Sequence, residues 1–388
     1  MRHLGRASIG LIAATGFLAW VGAAEAAFPV AQNGEITYHR YDNVQFDVFR
    51  MGPTGAGQLD LTNTDGYEVS PSFSPNGQKI AFVRFVGLHN DDIFSMNADG
   101  TGQVDLTNTP DLAEASPVFS PDGKRIAYST DDEEPQPVDI HLMKADGTGQ
   151  VDLTNTATLI EKDPDFSPDG KRIAFSGCEG PNCDIYLIAP DGSGLTNLTK
   201  TPAGTYDGNP SFSPDGKRVF FQSTVGGRSE IGVVNADGSG LANLTSSTID
   251  EIAPSVSPDG RLIAYNAIDP ASPSDIFTVD AATGGSPADL TNTASPFREE
   301  SPNWESIYTC AGKRATIVGS DSGEKLKGTK KADVIVGNGG KDKIKGKGGN
   351  DRICGGAGKD KLSAGKGRDR CIGGPGKDSG KACEKGKL

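Results

Sequence analysis

A Ser-Pro-Asp-Gly tetrapeptide returns every 44 to 47 residues along most of this chain, at Ser120, Ser167, Ser213 and Ser257, with Ser-Pro-Asn-Gly at Ser74. Each copy is followed by a short apolar run: KIAFV, RIAYS, RIAFS, RVFFQ or LIAYN. Proline presets φ at the second position of a tight turn and glycine suits the fourth, so each tetrapeptide joins two strands of a hairpin. A second strand pair follows in every copy, as in DIFSMNADGTGQVDLTNT from Asp92 to Thr109, where Asp-Gly marks the turn.

Four short strands per repeat, with centres that lack polar alternation, describe sheets covered on both faces, as in the stacked blades of a β-propeller. Counting strands gives six blades. GEITYH from Gly34 matches the second strand of a repeat with no first strand before it, and SPNWE from Ser301 matches a first strand with no second strand after it. The expected fold class is therefore all-β: a six-bladed β-propeller closed by the C-terminal strand, plus a short parallel β-roll.

The pattern SPDGKRIAFxS followed by DIxxMxADGxGxxxLT resembles the repeat of TolB-like propellers across residues 33–306. TolB proteins work in the cell envelope with a lipoprotein partner and add an N-terminal α/β domain that has no counterpart in this sequence. Similar blades also cap prolyl-oligopeptidase-type peptidases, but no G-x-S-x-G nucleophile elbow occurs here.

Arg2 and Arg6 precede an apolar run from Ala7 to Ala24, and Ala24-Glu25-Ala26 fits a small-x-small cleavage site, so residues 1–26 read as an export signal. No later segment has the length and apolarity to span a bilayer, which predicts a secreted or otherwise extracytoplasmic product, extracellular, periplasmic or on the cell surface. Six cysteines in an exported chain favour disulfides. Cys178 and Cys183 share one loop, and pairing Cys310 with Cys354 and Cys371 with Cys383 would staple neighbouring chain.

Strand direction puts the Ser-Pro-Asp-Gly and Ala-Asp-Gly turns on one face of the propeller and the variable loops, such as GCEGPNCD and IDPASPSD, on the other. Irregular loops on a rigid scaffold are where binding chemistry collects, so the second face is the candidate surface for a protein or glycan partner. Three residues before each first-strand proline stands an acid: Glu68, Glu114, Glu161, Asp207, Glu251 and Glu299. If the innermost strand lines the channel, these six ring its mouth as a cation or peptide site; solvated loop residues copied by duplication are the plainer reading. A second column, Asp47, Asp92, Asp139, Asp184, Glu230 and Asp275, opens each third strand, where an acid can accept backbone or loop hydrogen bonds. Beyond the signal only His39, His89 and His141 remain, without metal-ligand spacing, and no catalytic residue is assigned.

From Gly319 the repeat length drops to nine. An acid recurs as Glu324, Asp333, Asp342, Asp351, Asp360, Asp369 and Asp378, with an apolar residue two positions later. This resembles the G-G-x-G-x-D-x-U-x pattern of haemolysin-type (RTX) calcium-binding rolls. The resemblance implies calcium as cofactor, clamped between loops two repeats apart, which pairs Asp333 with Asp351, Asp342 with Asp360, Asp351 with Asp369 and Asp360 with Asp378. GSDSGE and GTKKAD lack glycine at positions two and four and should bind poorly, and the dense lysines should lower calcium affinity.

Charge divides the chain in the same place. Residues 1–309 carry 18 Lys+Arg against 42 Asp+Glu, and residues 310–388 carry 20 against 9. The acidic body makes nucleic acid an improbable main partner, whereas the basic tail could hold anionic cell-wall polymers, lipid head groups or the chain's own propeller. The expected parts are a signal at 1–26, the propeller at 33–306, a linker at 307–318, the roll at 319–379 and a basic tail at 380–388. The leading function is an exported, calcium-binding, non-enzymatic interaction scaffold. Its rivals are a calcium-assisted hydrolase or lyase working in the channel, and an envelope-tethered structural protein anchored by the basic tail.

Overall fold

The computed structural model describes residues 31–87, 90–110, 112–132, 138–269, 274–293 and 297–383. The expected export signal, His89 and the last five residues lie outside them. Every described regular element is a strand.

Each long repeat forms four antiparallel strands, as in Glu68–Phe73, Lys79–Gly87, Asn90–Asn97 and Val104–Asp105. Local chemistry writes the hairpins. In the turn at Ser120, the serine hydroxyl donates to Asp122 at 2.7 Å and accepts the Arg125 N–H at 3.0 Å, while Gly123 takes φ 66°. The turn residues therefore have distinct tasks, which explains why the tetrapeptide recurs with only Asn76 in place of aspartate, its Oδ1 taking the same bonds.

Six such four-stranded units occur among the described residues, with single bridges between neighbouring units at Asp91–Ala113 and Cys183–Tyr206. The apolar cores lie between sheets, not within them. Ala127, Ile140 and Leu142 of one unit pack with Phe166, Ile173 and Phe175 of the next. Five further clusters join the other neighbouring pairs, including Ile36, Tyr38, Met51 and Trp304 against Ala264 and Ile276. The strand Arg298–Ile307 pairs antiparallel with Gln32–Tyr41, setting Trp304 opposite Ile36 and Glu300 opposite His39.

Each first strand carries a register shift just before its proline, and the residue there adopts positive φ: Ser70, Ser116, Asp163, Asn209, Ala253 and Ser301, between 48° and 55°. Proline cannot donate to the ladder, so an irregularity at this point is the natural accommodation.

The nonapeptides wind into a roll with two parallel sheets. One contains Ile317–Val318, Val334–Val336, Arg352–Cys354 and Arg370–Ile372; the other contains Lys325–Lys327, Lys343–Gly348, Lys361–Lys366 and Ser379–Lys381. Alternate repeats feed alternate sheets, so each residue pairs with one 18 positions later, as Ile335 does with Ile353 and Ile344 with Leu362. Leu326, Ile335, Ile344, Ile353, Leu362 and Cys371 fill the space between. Strand pairing begins two residues ahead of Gly319, and residues 309–314 form a small hairpin. Disulfides join Cys178 to Cys183, Cys310 to Cys354 and Cys371 to Cys383.

The roll sits against the Ser-Pro-Asp-Gly turns. Ser322 Oγ donates to the Asp169 carbonyl at 2.8 Å, the Asp321 N–H to Pro168 at 3.3 Å, and Asn76 Nδ2 to Thr316 at 3.4 Å. Arg314 bridges to Glu305 of the last long strand.

Candidate metal centre and channel

The six positive-φ residues and the prolines after them line one central cavity of about 190 Å³. A second cavity below it is walled by Phe73, Phe119, Phe166 and Phe212 from the long repeats and by Gly319, Asp321 and Asn338 from the roll. The roll thus covers the mouth of the channel on the Ser-Pro-Asp-Gly side, opposite the mouth at which the first strands begin.

The acids expected to ring that mouth do not face the cavity. Glu68, Glu114, Glu161, Asp207, Glu251 and Glu299 are all buried between sheets. Threonine or serine hydroxyls donate to them: Thr64 to Glu68 at 2.6 Å, Thr156 to Glu161 at 3.0 Å, Ser223 to Asp207 at 2.8 Å and Thr293 to Glu299 at 2.9 Å, with Thr109 on Glu114 and Thr245 on Glu251. Arg84 and Arg40 add ion pairs to Glu68 and Glu299. The solvated-loop reading is corrected by this burial: the irregularity before proline turns a later residue to the cavity, the acids sit in the seams between sheets, and Glu68 Oε2, Glu161 Oε2 and Asp207 Oδ2 are left there without a donor. Burial pushes Glu114, Glu161 and Glu299 up to about 7 and Asp207 up to about 6.

The second acidic column serves the structural role its position implies. Asp47, Asp92, Asp139, Asp184 and Asp275 each accept from the first threonine of the fourth-strand loop at 3.0 to 3.3 Å and from the N–H two residues further on at 2.8 to 3.2 Å. Glu230 departs from the set and accepts from Asn243 at 2.8 Å.

The polar groups that do line the cavity escaped sequence reasoning. Asp163 accepts from Ser116 Oγ at 2.9 Å and Ser176 Oγ at 3.3 Å. Asp165, enclosed by the sheets though partly open to the cavity, accepts the Phe212 N–H at 2.7 Å, and desolvation pushes it up to about 7. Their signal was aspartate at a position where the other repeats carry Ser, Asn, Ala or Val.

In the roll the acids point inward and the lysines outward. Asp333, Asp342, Asp351, Asp360 and Asp369 are buried, whereas Lys325, Lys327, Lys343, Lys345, Lys361 and Lys381 are exposed. One oxygen of each later acid accepts a backbone N–H from the residue 18 positions earlier: Asp342 from Glu324, Asp351 from Asp333, Asp360 from Asp342, Asp369 from Asp351 and Asp378 from Asp360, at 2.7 to 2.9 Å. These bonds have the same two-repeat spacing as the implied calcium clamp, but they join a carboxylate to a backbone N–H and not to a second carboxylate.

The other oxygen separates the repeats into two kinds. Oδ2 of Asp342, Asp351, Asp360, Asp369 and Asp378 is buried without any hydrogen-bond donor. In the first two repeats the corresponding oxygen is satisfied from within its own turn. Ser320 N–H donates to Glu324 at 2.8 Å, and the N–H and hydroxyl of Thr329 donate to Asp333 at 2.7 and 3.0 Å. A buried carboxylate oxygen with no donor is costly, and a hard cation is the partner that removes the cost. Five such oxygens in succession fit calcium. Among the described residues no three His, Cys, Asp or Glu side chains converge, so the remaining ligands would be carbonyls of the glycine turns. At Gly358 and Gly376, φ of 143° and 151° lets successive turns stack so closely that a Cβ would strike the carbonyl of the turn before.

Residues 92–306 match the model of the TolB beta propeller domain, and residues 318–353 and 346–379 match the RTX calcium-binding nonapeptide repeat. No curated protein matches the chain. Among solved structures, TolB from Acinetobacter baumannii superposes with TM-score 0.62 at 19% identity, covering 71% of this chain and 68% of that one. Kuenenia stuttgartiensis hydrazine synthase gives 0.59 at 14% identity, covering 72% and 47%. A putative TolB from Agrobacterium tumefaciens gives 0.55 at 20%, covering 70% and 98%.

Proposed function

The chain belongs to the TolB beta-propeller domain family and ends in RTX calcium-binding repeats, and from that premise we propose that it is an exported, non-enzymatic binding scaffold. In this reading the long repeats make a six-bladed propeller, residues 33–306, closed by pairing of the last strand with the first. A segment at 307–318 links it to the calcium-folded roll at 319–379 and the basic tail at 380–388. The signal at 1–26 sends the protein out of the cytoplasm, where three disulfides are stable.

The observation that carries the proposal is the row of donorless carboxylate oxygens from Asp342 to Asp378. When bound, calcium supplies positive charge and oxygen coordination there; the chain supplies the aspartates and the stacked turns. With the roll against one face, the variable-loop face is left as the surface for a protein or glycan partner. No helix among the described residues is long and apolar enough to cross a membrane.

Calorimetric titration of the whole chain with calcium, alongside circular dichroism, tests the reading. Saturable binding with a gain of β-structure is expected. Absence of both would refute a calcium-folded roll. The hydrolase or lyase alternative would draw on Asp165, the acid that faces the cavity with a raised pKa; turnover that D165N abolishes would favour it.

A further inference from the structure

Among the described residues, one sheet of the roll is covered and the other is bare. Val318, Val336 and Cys354 of the first sheet pack under Cys310 and Ala315. The second sheet buries Leu326, Ile344 and Leu362 and turns its alternate residues to solvent. In-register pairing stacks these into two columns: Lys325, Lys343 and Lys361 with Ser379 in one, Lys327, Lys345, Ser363 and Lys381 in the other. Successive rungs are about 4.8 Å apart. Among the described residues, none of these lysines has a carboxylate at ion-pair distance. Like charges stacked in register oppose folding of the sheet, so this arrangement asks for an external anion.

We infer that this lysine ladder is a docking surface for a linear acidic polysaccharide carrying a carboxylate on each sugar, and that it exists only while calcium holds the roll folded. The inference rests on the calcium reading of the roll and adds its partner. Four observations select the occupant. The charges form straight rows along the roll axis, which match a chain better than a plane of head groups. No apolar side chain projects from this face, so nothing would insert into a lipid surface. Residues 316–383 contain no aromatic residue on which a base could stack. Ser363 and Ser379 stand in the lysine columns and offer hydroxyls to a sugar. Because the acids of the same repeats point inward, calcium and polyanion occupy opposite sides of one sheet and do not compete.

The test uses the full chain and a soluble oligouronate too short to gel with calcium. Binding is expected in calcium and lost on chelation. K343S/K345S, which empties one rung, should weaken it by roughly fivefold per lysine, about twenty-five-fold for the pair. K331S/K359S removes the same charge from exposed turns and should change it less than about twofold. Since the ligand binds only the folded roll, it must also raise the apparent calcium affinity.

Equal losses in both double variants would reduce the ladder to general electrostatics and overturn the inference. Tighter binding to anionic phospholipid vesicles or to single-stranded polynucleotide than to the oligouronate would overturn the choice of partner. A normal calcium transition without oligouronate binding would sink the ladder and leave the calcium reading standing; absence of the transition would sink the calcium reading and the gating with it.

Discussion

Thr107 stands between two carboxylates that belong to neighbouring sheets: its Oγ1 lies 3.2 Å from Asp92 Oδ1 and 3.2 Å from Glu114 Oε2, and it accepts the Ile93 N–H at 2.9 Å. A hydroxyl has one proton and can satisfy only one of the two acids. The arrangement is relaxed when Glu114 carries a proton of its own, which agrees with its pKa of about 7. Similar seams occur at Glu161, Asp207 and Glu299.

These raised values make the propeller an acid-favouring fold. The folded state holds protons that the unfolded chain releases near pH 4 to 4.5, so this contribution is complete below that range and is lost as pH rises through 6 to 7. The urea midpoint in excess calcium should therefore fall between pH 5 and pH 8. A midpoint that rises across this window would contradict the assignment.

Replacing Thr107 by valine keeps its shape, deletes the hydroxyl and leaves the Ile93 N–H without its acceptor. A loss of about 1–3 kcal/mol in unfolding free energy is expected. Thr101→Ala, at an exposed turn, should cost well under half as much.

The last long strand is packed as well as paired. Trp304 is 6% exposed, packs with Ile36 and Ile276, and donates from Nε1 to the Ser255 carbonyl at 3.1 Å. Trp304→Ala should destabilise by about 3–5 kcal/mol, and a chain ending before Ser301 should lose its cooperative melt. Denaturation followed by tryptophan-independent circular dichroism checks both.

Two kinds of aspartate in the roll should respond differently to the same change. Asp351→Asn and Asp360→Asn each remove an oxygen that has no protein donor, and calcium affinity should drop by about tenfold or more, within the range in which each buried charged group matters. Asp333→Asn touches a carboxylate already served by Thr329, and the calcium isotherm should shift much less. Equal effects at all three positions would count against the distinction.

What could be read from the sequence tracks how locally each feature is determined. The turn at Ser120 is specified by four adjacent residues, and the roll acids by a strict nine-residue period, so both were legible. The facing of Glu114 was not, because the irregularity at Ser116 displaces the two-residue alternation of the strand, and nothing in the proline alone announces the displacement. Asp165 was hidden for a related reason: it is exceptional only against the other repeats. The seating of the roll was illegible altogether, since Ser322 meets Asp169 across 153 residues without a shared motif.

The 18-residue register of the roll constrains how its length can change. Adding or removing two nonapeptides would extend or shorten both sheets by one rung each and leave everything else in place. A single nonapeptide inserted between Val336 and Lys343 would transpose every later strand to the opposite sheet. Lys343 and Lys361 would then be carried to the side where the hairpin lies, and Cys354 to the far side of the core from Cys310. Growth of this protein by duplication is thus quantised in pairs of repeats.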